Sequence, residues 1–334
     1  MSAITLLLVV IAVALLFDFL NGFNDSANVV ATIIASRAMS ARGALTLAAL
    51  ANLAGPFLFG VAVAETIGAE VADPRTISIA VVLAALLAAS LWDLVTWYFG
   101  IPVSSSHALV GGIVGAAAAG SGLDAIQTQG LWKIAIALLA SPLAGFVMAL
   151  AVMRATLWLL RNATPKANVV LSRAQVLSAT ALALSHGAND AQKTMGVIAM
   201  GLLTLGFTPM FVVPWWVVML SASAIALGTA VGGWRIIRTL GTRFYRIHPI
   251  HGFTSQLAST AIILGASLAG GPVSTTQVVS MSILGAGAAE RKSKVRWAVL
   301  NDIAVAWVLT LPATALLAAP LYYLIDSLLR DGGR

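Results

Sequence analysis

The 334-residue sequence has no cysteine, so cysteine usage says nothing about its redox compartment. It is also short of charge. Only 9% of the residues are Asp, Glu, Lys or Arg and 60% are hydrophobic, whereas a soluble domain has about a quarter of its residues charged. A chain this apolar could not cover its own surface in water, which excludes a soluble globular protein. Two further absences narrow the class. Alternation of apolar and polar residues with period two, the mark of a lipid-facing barrel, is missing. The spans must then be helices, which satisfy their backbone polar groups internally. No Gly-Lys-Ser/Thr phosphate loop occurs either, which argues against nucleotide-driven pumping by this chain.

What is present is a series of apolar runs long enough to cross the hydrocarbon, which takes roughly 20 residues of helix. The clearest cover 4–35, 44–64, 76–99, 131–153, 210–233 and 297–325. The first has no basic residue before it and continues, without a small-residue cleavage site, into a polar cluster at 18–28. It is expected to be a retained span and not a signal peptide. The net charge of +7 has a topological origin, because the loops 37–42, 154–173, 235–246 and 291–296 hold 14 of the 19 Lys and Arg residues. The segments 65–75, around Asp124 and from Asp326 onward are acid-rich or mixed. Basic loops stay cytoplasmic, which predicts a multi-pass cell-membrane protein with both termini outside. The same distribution gives no reason to expect nucleic-acid binding.

Between these loops each half of the chain, 1–160 and 174–334, is expected to make five passages, with a basic cytoplasmic linker at 161–173. The third and fourth passages of each half form a pair, interrupted at 100–107 and at 269–277. An odd number of passages sets the second half upside down relative to the first. Motifs recur to match. Asn24-Asp25 returns as Asn189-Asp190, 165 positions on, and Pro102-Val103-Ser104-Ser105-Ser106-His107 returns as Pro272-Val273-Ser274-Thr275-Thr276-Gln277, 170 positions on. The predicted fold is an all-α integral membrane protein of two inverted-topology repeats. Its broken or re-entrant helical hairpins should meet near the midplane, as in secondary transporters.

Gly22-Phe23-Asn24-Asp25-Ser26-Ala27-Asn28 and His186-Gly187-Ala188-Asn189-Asp190-Ala191-Gln192-Lys193-Thr194-Met195-Gly196, together with the two Pro-Val-Ser segments, resemble the paired signatures of the inorganic phosphate transporter (PiT) family. The resemblance spans nearly the whole chain; Phe23, where many members have a small residue, is a minor departure. It implies symport of phosphate with sodium or protons, a homodimer, and a bacterial or archaeal cytoplasmic membrane.

The residues have a physical reading of their own. Asp25 and Asp190 lie in apolar segments, where an ionised side chain costs at least ~3 kcal/mol uncompensated. Such residues pair with cations, face an aqueous path, or act as structural carboxylates. Asn24 and Asn28 share a helical face, as do Asn189 and Lys193. The motifs contain no arginine, so an anion needs another source of positive potential, and helix N-termini supply it. The candidate substrate-binding set is Asp25, Asn28, Ser104, Ser105, Ser106, Asp190, Lys193, Ser274, Thr275 and Thr276; helix capping is the competing reading for the hydroxyls. The candidate coupling-cation set is Asn24, Asp25, Asn189, Asp190 and Gln277, with sodium as the candidate metal at Asp25 and Asp190. No other cofactor is expected. His107 and His186 are read as packing histidines, while Asp18, Asp93 and Asp302 stand open between structural and proton-path roles. Trp132, Trp215, Trp216 and Trp297 read as interfacial anchors. A sulfate permease of the same fold and an anion channel are the rival transport readings. An intramembrane enzyme built on Ser104–Ser106 and His107 is disfavoured, because adjacent Ser and His rarely form a catalytic pair.

Overall fold

The computed structural model describes residues 2–69, 71 and 77–331, and among these the regular structure is helical throughout. In chain order the α-helices are α1 (Ala3–Ala35), α2 (Ala41–Phe59), α3 (Ala62–Ala69), α4 (Ile79–Phe99), α5 (Ser105–Gly120), α6 (Thr128–Leu159), α7 (Ala167–Thr204), α8 (Trp215–Val231), α9 (Trp234–Arg238), α10 (Pro249–Leu268), α11 (Thr275–Glu290) and α12 (Trp297–Asp331). Six of them, α1, α2, α4, α6, α7 and α12, are long and apolar enough to cross a membrane. α8 and the segment after it, bent by 61°, can form a seventh span.

Boundaries moved where local chemistry outweighs hydropathy. The apolar run 44–64 breaks at Gly60, whose φ of 79° ends α2. A short α3 follows and carries Glu65 into helix. The Glu70, Asp73 and Arg75 of the acid-rich segment lie outside the described residues. α7 begins at Ala167, inside the stretch read as linker. α10 begins at Pro249, where proline's missing N–H costs nothing in the first turn.

α1 and α7 carry the two Asn-Asp motifs and pack on each other; α1 also lies against α8, and α7 against α2. Small residues permit these crossings. A Cβ at Gly22 would strike the Ile225 carbonyl, one at Gly228 the Phe19 carbonyl, and one at Gly187 the Asn52 carbonyl. Close backbone approach of this kind gives the van der Waals contact that holds helices together in lipid.

The two interrupted pairs are hairpins. α4 ends at Gly100, in the left-handed region at φ 67°, and after Pro102 the Ser104 hydroxyl caps α5 by accepting the His107 N–H. α10 ends before Gly270 (φ 70°), and after Pro272 the Ser274 hydroxyl caps α11 by accepting the Gln277 N–H. The α4–α5 pair packs against α12, and the α10–α11 pair against α6. Each hairpin is therefore backed by a long helix from the other half of the chain. At the base of the second hairpin, His251 Nδ1 accepts the His248 N–H (3.0 Å), which leaves Nε2 to donate to Glu290 at 2.6 Å and tie the two arms.

Irregular backbone among membrane helices must find partners within the protein, and the two tips do. Thr239 Oγ1 donates to the Gly100 carbonyl (2.8 Å) and Trp307 Nε1 to the Pro102 carbonyl (2.9 Å). Thr66 Oγ1 donates to the Gly270 carbonyl (2.7 Å), and Ser106 Oγ to the Val273 carbonyl (3.0 Å). The last of these joins one tip directly to the other.

Candidate functional site

The Asn-Asp motifs sit in mid-helix, so their side chains project from α1 and α7 toward the helix starts that follow Pro102 and Pro272. Asp25 Oδ1 accepts a hydrogen bond from Thr276 Oγ1 at 2.9 Å, and Oδ2 one from Thr275 Oγ1 at 3.1 Å. Asn28 Nδ2 donates to Thr276 Oγ1 at 3.0 Å, holding that hydroxyl's proton toward the carboxylate. Thr275 Oγ1 also lies 3.2 Å from Asp190 Oδ2. A hydroxyl carries one proton, so Thr275 can satisfy only one of the two carboxylates at a time.

Asp190 Oδ1 forms an ion pair with Lys193 Nζ at 2.9 Å, both side chains being fully buried. The same ammonium donates to Ser105 Oγ at 3.3 Å. Asp25, Asp190, Asn28, Lys193, Ser105, Thr275 and Thr276 are thus brought to one place from four helices. Charge is concentrated there, and burial makes each unpaired group costly.

His186 belongs to this site, contrary to its reading as a packing residue. Asn52 Nδ2 donates to Thr229 Oγ1 at 2.7 Å, and Thr229 donates onward to the Ile225 carbonyl at 2.8 Å, which turns Asn52 Oδ1 toward the imidazole. His186 Nδ1, 3.1 Å away, must then carry a proton. Nε2 faces Asp190 Oδ2 at 3.4 Å and Asp25 Oδ2 at 3.7 Å. A bare lone pair facing two ionised carboxylates would be repelled there, so the focus calls for a proton, on the ring or on one of the carboxyls, or a cation between the three groups. Asp25, His186 and Asp190 each offer a ligand atom, all within 4.8 Å of one another. Asn21 Nδ2 approaches Asp190 Oδ2 at 3.5 Å. A signal for both residues existed in the sequence: Asn21 and Asp25 are four apart, His186 and Asp190 repeat that spacing, and the offset is the same 165 positions.

The remaining predicted residues lie around this focus. Ser106 joins the tips, and Ser104 and Ser274 cap helices with their oxygens. Asn24 Nδ2 donates to the Asp93 carbonyl (3.1 Å), and Asn189 Nδ2 to Ser267 Oγ (2.8 Å). Gln277 lines a groove with His107, Trp307 and Pro312. Asp18 and Asp93 are buried, whereas Asp302 is exposed. Asn24, Asp25, Asp93, Pro102, Val103, Ser105 and Ile236 enclose a cavity of about 10 Å³, room for about one water. A cavity of that size leaves no room for an anion.

Residues 21–318 match the Phosphate transporter family. A probable low-affinity inorganic phosphate transporter of Rhizobium meliloti (strain 1021) is 46% identical, over 97% of this chain and 98% of its own length. One of the same description from Bacillus subtilis (strain 168) is 42% identical, over 97% of each. A solved structure, described as the sodium-dependent phosphate transporter, shares the fold with a TM-score of 0.88. It covers 96% of this chain and 99% of its own at 23% identity.

Proposed function

Because this chain belongs to the phosphate transporter family, we propose that it carries inorganic phosphate through a membrane by symport with sodium or protons. The observation that bears most weight is the convergence of Asp25 and Asp190 on Thr275 and His186, between two hairpin tips. A carrier of this kind works by alternating access, one set of helices rocking against another around a central site. The cavity has room for about one water, so the tips must part before an anion can enter. The inverted arrangement of the halves, the homodimer and the outside placement of both termini belong to the same reading.

In this reading the N-terminal ends of α5 and α11 provide positive potential, and Ser105, Thr275, Thr276, Asn28 and Lys193 provide donors. A carboxylate accepts a hydrogen bond from a protonated phosphate oxygen, which sulfate does not offer at neutral pH; this favours phosphate. The cation or proton between Asp25, His186 and Asp190 offsets both the carboxylates and the incoming anion, linking the two cargoes. A channel fits less well, because the polar residues crowd at two matched helix breaks and form no continuous polar stripe along several helices.

Purified protein in liposomes, given labelled phosphate under imposed sodium or proton gradients, tests the proposal. Concentrative uptake that excess phosphate blocks and excess sulfate does not is expected. Uptake suppressed equally by sulfate would move the assignment to a sulfate permease, and passive equilibration at channel rates would remove symport.

A further inference from the structure

The offset that pairs Asp25 with Asp190 also pairs Asn28 with Lys193. Each touches a hydroxyl at a hairpin tip, with different chemistry, although the two hydroxyls are one position out of register in the paired tips. On one side a neutral amide, Asn28 Nδ2, donates to Thr276 Oγ1, whose proton goes to Asp25. On the other an ammonium, Lys193 Nζ, touches both Ser105 Oγ at 3.3 Å and Asp190 Oδ1 at 2.9 Å. Ser105 stands 170 positions before Thr275 in the paired tips. The ammonium therefore occupies a setting of carboxylate and hydroxyl oxygens, the ligand set that hard cations prefer.

We propose that Lys193 is a tethered cation, filling at the Asp190 side a place that a mobile coupling cation would otherwise take. This rests on the phosphate-symport reading above and sharpens it, since it fixes the number of mobile cations at one fewer than the paired halves would hold with amides on both sides. Three features carry it. The side chain of Lys193 is fully buried and cannot exchange its partner for water. A second monovalent cation at Asp190 Oδ1 would be in contact with the ammonium, and like charges at that range repel strongly in a medium poorer than water. The residual need for positive charge is at the two Oδ2 atoms and His186 Nε2, beyond Asp190 Oδ1. A tethered charge also reaches the site without diffusion, so that side of the anion's neutralisation is independent of the external salt.

The test compares wild type with Lys193→Asn, which places the amide of Asn28 on both sides. Binding of radioactive sodium to the detergent-purified proteins, without phosphate, is measured first. The variant should bind one sodium more per chain than wild type. Phosphate affinity is then titrated against sodium, with choline keeping the ionic strength constant. The logarithmic slope for the variant should be about one unit steeper, so that a tenfold fall in sodium weakens its phosphate binding about tenfold more than that of wild type. Lys193→Met, which has neither charge nor a hard ligand, should lose affinity at every sodium concentration with no change of slope. Equal sodium counts and equal slopes for wild type and Lys193→Asn would overturn the proposal, as would a slope that rises equally in Lys193→Met. If Lys193→Asn elutes as aggregate, Lys193→Gln is read by the same two measurements. A wild type that binds no phosphate would overturn the symport reading, while the sodium count still decides the role of Lys193.

Discussion

Asp25 and Asp190 point their Oδ2 atoms at one hydroxyl proton and one imidazole nitrogen. That geometry makes the carboxylates unequal to any neutral substitute. Asp25→Asn and Asp190→Asn should each abolish concentrative phosphate uptake in liposomes; full uptake by either variant would remove the carboxylates from the mechanism. His186→Phe keeps the ring volume and removes both nitrogens. It leaves Asn52 Oδ1 without its donor, a loss of ~1–3 kcal/mol for a buried acceptor. Uptake should fall by at least about tenfold, the equivalent of 1.4 kcal/mol, and His186→Gln should recover part of it. The Asn-Asp motifs were legible because an acidic residue inside an apolar run stands out by itself. His186 was marked only by the recurring four-residue spacing to Asp190, and its role was not readable, since that depends on Asn52, 134 residues away in sequence, and on the hydrogen bonds that orient that amide.

The helix breaks show the same division at the scale of elements. Pro102, Pro272 and the glycines before them interrupt helices by their own covalent geometry, so both hairpins could be placed from sequence. Which residues receive the freed carbonyls was not readable, because Thr239, Trp307 and Thr66 come from distant helices. Trp307→Phe removes the donor to the Pro102 carbonyl and should cost ~1–3 kcal/mol, seen as a lower thermal midpoint in detergent and a loosened first hairpin. Gly187→Ala presses a methyl against the Asn52 carbonyl and should cost ~1–3 kcal/mol through overpacking. Because Asn52 also orients His186, this variant should lose uptake beyond what its lowered midpoint explains; unchanged uptake would show that the α2–α7 crossing and the site are uncoupled.

Over the whole molecule, scarcity of charge and length of the apolar runs were enough to fix the class, because burial of backbone in lipid leaves only helices for such runs. Exact spans were harder. Gly60 ended a helix inside a run that hydropathy alone draws as one, and α7 began inside the stretch read as linker. The orientation predicted from the basic loops has a direct check, helped by the absence of native cysteine. Thr164→Cys and Asp124→Cys both lie at exposed positions. In intact cells a membrane-impermeant maleimide should label Asp124→Cys, and should reach Thr164→Cys only after permeabilisation. The reverse pattern would invert the assignment of inside and outside.

The partner of the Pro102 carbonyl is Trp307, 205 residues further along the chain. During synthesis the ribosome must therefore deliver α12 before the first hairpin can complete its hydrogen bonding. Until then that tip is an unfinished knot in the bilayer, and a product truncated before α12 would carry it permanently. Quality-control proteases could recognise that defect, so nonsense mutations late in the gene should lower protein abundance as severely as early ones.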